Sequence, residues 1–130
     1  MIVDASAIIA ILRKESDWNL LYEAMDEAAQ CKMSAANFLE TAIVVDSKRD
    51  PVASRELDEF LRDVGMSINP VDETQVRIAR EAYRDFGKGS GHPARLNFGD
   101  CFAYALAKVT GEPLLYKGTD FSHTDIAPAI

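Results

Sequence analysis

Four carboxylates carry the chemistry that this sequence could perform. Asp4 directly follows the apolar pair Ile2-Val3, and Asp120 sits in the turn-like stretch Lys117-Gly118-Thr119-Asp120. Glu40 lies one helical turn after Ala36 and one before Ile43, alongside Leu39, which puts it on the apolar side of a helix. Asp100 shares a helical face with Ala103, Tyr104 and Ala107. Each acid has an ordinary alternative. Asp4 can cap a helix, Glu40 can face solvent, Asp100 can answer an N-cap at Asn97, and Asp120 can be a turn residue. The combination points further. Carboxylates gathered in one place repel one another, so they must keep protons or share a cation. Magnesium accepts carboxylate oxygens, retains waters and bridges to phosphate, which makes such a cluster suited to phosphodiester hydrolysis.

A phosphate polymer also needs positive charge beside an acidic centre. Lys88, Arg95 and Lys117 flank Asp100 and Asp120 in sequence, and Arg13 and Lys14 follow the first helical segment. Singly these are solvated surface charges; together they form a candidate rim for single-stranded RNA. His92 and His123 have no histidine-ligand partner near them in sequence, and Cys31 and Cys101 fit no metal-ligand spacing. Both cysteines read as small buried apolar residues.

The elements that must position these acids follow from patterning. Ile2-Val3-Asp4 predicts a short strand, followed by a helix over 6–12 capped by Asp4 or Ser6. Trp18, Leu21, Tyr22 and Met25 predict a helix over about 17–29. A short strand at Lys32-Met33-Ser34 leads into a helix over about 35–48, ended by Asp50-Pro51. Ser54 is the expected cap of the next helix, which holds Leu57, Phe60, Leu61 and Val64 and stops at Gly65. Met66 to Val71 reads as a strand. Asp72 then caps a helix whose buried stripe is Val76, Ala79, Ala82, Tyr83 and Phe86. A glycine-rich, basic loop over 87–95 precedes an apolar helix over 98–109. Pro113 to Tyr116 is a strand, and Ile126 marks a last short one. Strands alternating with helices indicate an α/β sandwich with a central, mainly parallel sheet, whose sites form beyond the carboxyl ends of the strands.

The 130 residues, 48% of them apolar, suffice for one compact domain over 1–130 without disulfide staples. No apolar run reaches the roughly 18–20 residues of a membrane span, and no secretory signal pattern opens the chain, so a cytoplasmic location is expected. The net charge of −7 argues against a protein that coats nucleic acid through a broadly basic surface. It does not exclude a nuclease, in which a metal ion and a local rim reverse the sign at one place.

Met-Ile-Val-Asp-Ala-Ser-Ala at the start, Phe-Leu-Glu-Thr-Ala at 38–42, Leu-Asn-Phe-Gly-Asp-Cys-Phe-Ala-Tyr-Ala-Leu-Ala at 96–107 and Pro-Leu-Leu-Tyr-Lys-Gly-Thr-Asp-Phe at 113–121 together resemble the PIN domain. More narrowly, they resemble the VapC toxins of bacterial toxin–antitoxin pairs. The resemblance implies a PIN-like α/β/α sandwich and a Mg2+- or Mn2+-dependent endoribonuclease that uses metal-activated water and leaves a 5′-phosphate. It matches Asp4, Glu40 and Asp100 to the three main acids and Asp120 to a more variable fourth. Ser6 matches a hydroxyl residue near the metal, and Asn97 a polar residue beside the site. It also implies a homodimer and a VapB-type antitoxin partner. One departure is Gly118, where many relatives carry a hydroxyl residue two positions before the fourth acid. A PIN nuclease of RNA maturation and a non-catalytic PIN binding module are the alternatives within the same fold.

Overall fold

A computed structural model describes all 130 residues. The strands are β1 (Ile2–Val3), β2 (Lys32–Ser34), β3 (Ser67–Asn69) and β4 (Leu114–Leu115). The helices are α1 (Ala5–Leu12), α2 (Trp18–Glu27), α3 (Ala35–Asp46), α4 (Pro51–Asp63), α5 (Glu73–Phe86) and α6 (Phe98–Thr110), and a short 3-10 helix spans Asp120–His123. The strands form one parallel sheet in the order β3-β2-β1-β4. Ile2 lies opposite both Lys32 and Leu114, and Val3 opposite Leu115.

Because successive strand residues face opposite sides, two-residue strands are enough to serve two cores. Ile2 and Leu114 pack with Leu96, Leu106, Tyr104 and Phe121 under α5 and α6. Val3 and Leu115 pack with Met33, Ile8, Leu21, Met25 and Leu57 under α1, α2 and α4. The result is the expected α/β/α sandwich. No helix is long and apolar enough to cross a membrane.

Most helix boundaries follow their caps. Asp4, Ser34, Asp72 and Asn97 each accept a backbone N–H of the helix they open. Three expectations need correction. The helix after α3 starts at Pro51 with Asp50 as its cap, not at Ser54, because Pro at the first helical position lacks only an N–H that would be unpaired anyway. On α5, Ala79 and Ala82 are buried, but Val76 and Tyr83 are 49% exposed. The apolar stripe of that helix is wider than the surface α6 covers. Ile126 is buried without being in a strand; the tail instead touches the edge of the sheet through a bridge between Leu114 and Pro128.

Candidate active site

The acids meet at the carboxyl edge of the sheet, where parallel strands deliver chain ends to one side. Asp4 leaves β1 and at once caps α1. It is 3% exposed, and its Oδ2 accepts from the Ser6 N–H at 3.0 Å and the Ser6 hydroxyl at 2.6 Å. The Lys117 N–H, just after β4, donates to that same hydroxyl at 3.0 Å. Ser6 therefore links the ends of two adjacent strands. Asp4 Oδ1 is buried with no hydrogen-bond partner.

Glu40 comes from the second turn of α3 and is half-buried. Its Oε1 accepts from Asn37 Nδ2 at 3.3 Å. Asp100 stands in the first turn of α6, where its Oδ2 accepts from the Asn97 N–H at 2.9 Å while Asn97 Oδ1 accepts from the Asp100 N–H at 3.0 Å. That reciprocal pair is the capping box expected from the sequence. Gly99 lies against Glu40, and any side chain there would collide with the Glu40 carboxylate. Asp120 opens the 3-10 helix, exposed to solvent. Gly118, two positions before it, has φ +104°, a conformation that favours glycine over any residue with a side chain.

The acids feel one another. Burial raises the Asp100 carboxyl to about 7, assisted by repulsion from Asp4, Asp120 and Glu40 and opposed by the Asn97 N–H. Burial likewise raises Glu40, against the Asn37 bond and with help from Asp4. Asp4 is raised chiefly by burial, opposed by Ser6 and the backbone and increased by Asp120. Every charge acting on these three acids is negative. A pattern runs through the hydrogen bonds as well. Asp4, Glu40 and Asp100 each have one oxygen held by the protein and the other without a protein donor.

Such a donor set suits a divalent cation. It offers hard oxygen atoms, an orphaned buried carboxylate oxygen and unbalanced negative charge. No three acids already stand closed around one point. An ion here would therefore be held directly by one or two of the carboxylates and by the others through retained waters.

The basic residues are placed unequally. Lys117 is at the site through its backbone, but its Nζ is bound to the Ser16 carbonyl at 2.7 Å and lies 3.6 Å from Asp17. Arg13 caps the opposite end of α1 from Asp4, about 12 Å along an eight-residue helix at 1.5 Å per residue. Lys88 lines a groove between α5 and α6 that reaches Asn97 and Phe98, and Arg95 is exposed just before Leu96. His92 has a structural role: its Nδ1 accepts the Ala94 N–H at 3.1 Å, and its ring packs edge-on against Phe86. Both cysteines are buried.

Sequence reasoning missed Asn37. It is fully buried, and its Nδ2 bonds both Glu40 and the Gly99 carbonyl, the latter at 2.9 Å. The signal was an amide among the small and apolar residues of the first turn, one turn before the candidate acid.

The parallel α/β/α sandwich with acids along its carboxyl edge fits a PIN domain, and the chain belongs to that family, whose match covers residues 1–127. Within that family the chain belongs to the VapC ribonucleases. It is 56% identical over 130 residues to ribonuclease VapC28 of Mycobacterium tuberculosis, across 100% of this chain and 98% of that one. Its fold is shared with M. tuberculosis VapC20, a sarcin–ricin loop cleaving toxin, at a TM-score of 0.72 and 12% identity over 97% of this chain and 95% of that one. A toxin–antitoxin complex from Klebsiella pneumoniae contains the same fold, with a TM-score of 0.71 and 14% identity over 93% and 89% of the two chains.

Proposed function

We propose that this chain is the toxin of a toxin–antitoxin pair and hydrolyses RNA phosphodiester bonds at the four-acid edge, using Mg2+ or Mn2+. The observation that carries the proposal is the cluster itself: Asp4, Glu40, Asp100 and Asp120 repel one another with no internal counter-charge. VapC28 and VapC20 bear names that state ribonuclease or RNA-cleaving activity, which agrees with this chemistry.

A divalent ion bound here would supply Lewis acidity toward a phosphate oxygen and lower the pKa of its water. The chain's own residues do the rest. Asp4, Glu40 and Asp100 would hold the ion, directly or through its waters, each with the oxygen that the protein leaves free, and Asp120 would complete the set from the solvent side. Ser6 fixes Asp4, and Asn97 fixes Asp100. Lys88 and Arg95 are the rim cations that counter the phosphate backbone. Lys117 acts there chiefly by joining the β4 loop to Ser6, and Arg13 stands away from the acids at the far end of α1.

A VapB-type antitoxin is the partner, in keeping with the toxin–antitoxin complex that shares the fold. A homodimer would bury the apolar face made by Leu39 and Ile43 of α3, Phe98 of α6, and Val76 and Tyr83 of α5. These side chains are 40% exposed or more, and Phe98 is 79% exposed.

The test is RNA cleavage by purified protein with Mg2+ or Mn2+, against EDTA and against an Asp4→Asn variant prepared in the same way. Cleavage should require metal and fall at least about 100-fold in the variant, more than is usual for loss of a residue that only supports a ligand. Equal cleavage by parent and variant, or cleavage in EDTA, would refute the proposed site.

A further inference from the structure

We infer that Asn37 and Gly99 together form the positioning device for Glu40, setting where its carboxylate stands relative to Asp100; the inference rests on the metal-site proposal above. Asp4 and Asp100 are short acids held by hydroxyl or backbone donors within their own helix turns. Glu40 is the long one. An unrestrained glutamate has three side-chain torsions to immobilise before it can act as a ligand, at a cost in conformational entropy.

Asn37 meets that need from beneath. Its amide nitrogen bonds Glu40 Oε1 at 3.3 Å and the Gly99 carbonyl at 2.9 Å, so one buried group spans α3 and α6. Both partners are acceptors. Only the NH2 end of the amide can face them, and turning it over would set oxygen against oxygen at two places. Asn37 Oδ1 is left buried without a partner, a cost accepted for this orientation.

Gly99 closes the slot from the other side. A Cβ at this position would fall on the Glu40 carboxylate. Gly99 sits immediately before Asp100 and bonds Asn37, so the same contact that locates Glu40 also locates the turn carrying Asp100. The separation of two ligands is fixed by one amide. Simple stapling of α3 to α6 would use the Gly99 bond alone and would be indifferent to Glu40.

The experiment is a double-mutant cycle read by Mn2+ affinity, with free Mn2+ followed by electron paramagnetic resonance in the absence of RNA. Asn37→Ala should weaken Mn2+ binding at least about 10-fold in the parent, the usual scale for residues that orient a ligand. In a Glu40→Ala background the same change should cost less than about 2-fold, since there is no carboxylate left to hold. An equal cost in both backgrounds would assign Asn37 a stapling role and overturn the inference. If Asn37→Ala does not fold, Gly99→Ala provides the second arm: it leaves Asn37 in place, fills the slot, and should weaken Mn2+ binding. Unchanged affinity in that variant would also overturn it. A parent protein that binds no Mn2+ overturns the metal-site proposal and this inference together, whereas a parent that binds while Asn37→Ala binds equally overturns this inference alone.

Discussion

Neutralising Asp100 should remove activity and, without metal, make the protein more stable. The carboxyl is raised from 3.8 to about 7 by burial and by three neighbouring acids. At 1.36 kcal/mol per pKa unit that corresponds to roughly 4 kcal/mol, and solvent screening of a partly exposed group reduces it to about 2 kcal/mol. Asp100→Asn keeps an oxygen for the Asn97 N–H but loses an anion at a helix N-terminus, worth about 0.5 kcal/mol. The net gain is about 1.5 kcal/mol, or about 5 °C in Tm for a chain of this length.

The pH dependence has a definite sign. Below about pH 4 this carboxyl is protonated in both folded and unfolded chains, and the penalty is absent. Between there and about pH 7 the unfolded chain has lost the proton and the folded chain keeps it, so stability falls as pH rises. Above about pH 7 the whole penalty is present. Thermal unfolding followed by circular dichroism in EDTA should therefore show the gain at pH 8 and its disappearance near pH 4. Saturating Mn2+ should reverse the order, since a ligand at 100 times its Kd stabilises the parent by about 2.7 kcal/mol. An Asp100→Asn variant no more stable than the parent at pH 8 in EDTA would refute the claim that burial, with the neighbouring acids, raises this carboxyl in the folded chain.

Two further outcomes can be measured directly. Phe98→Ser, which removes the most exposed aromatic of the α3–α5–α6 face, should shift sedimentation at micromolar protein from dimer to monomer, with helix content unchanged. Tyr104→Phe removes the hydroxyl that donates to Asp125 at 2.7 Å, and should cost about 1 kcal/mol in urea unfolding; no loss would mean that this contact does not hold the tail carrying Asp120.

The sequence was most informative where one residue answers one local rule. Asp4 after an apolar pair and Asn97 three residues before Asp100 are both decided within a turn or two of chain. Ser54 misled because a cap can be recognised only against its competitors, and Asp50-Pro51 is the stronger opening. Val76 and Tyr83 have the right period for burial, but periodicity identifies an apolar face without saying whether this chain covers it. Glu40 was found for a reason that only partly holds: its neighbours Leu39 and Ile43 are apolar yet mostly exposed. Asn37 was invisible because its significance depends on Gly99, sixty-two positions away. The Lys117 ammonium is another such case, since its partners Ser16 and Asp17 belong to the loop before α2.

The double employment of Asp4 bears on how this chain must be handled genetically. Its Oδ2 both starts α1 and receives the Ser6 hydroxyl to which the β4 loop is tied. Asp4→Ala would uncap that helix, at about 1 kcal/mol, and leave the hydroxyl without its acceptor. A harmless clone carrying it would be ambiguous between a disarmed protein and a poorly folded one. Asparagine preserves the capping oxygen, so Asp4→Asn separates the two. In any selection for cells that survive expression, the fourth codon would be a target on both grounds, and its frequency among survivors would overstate its importance to catalysis.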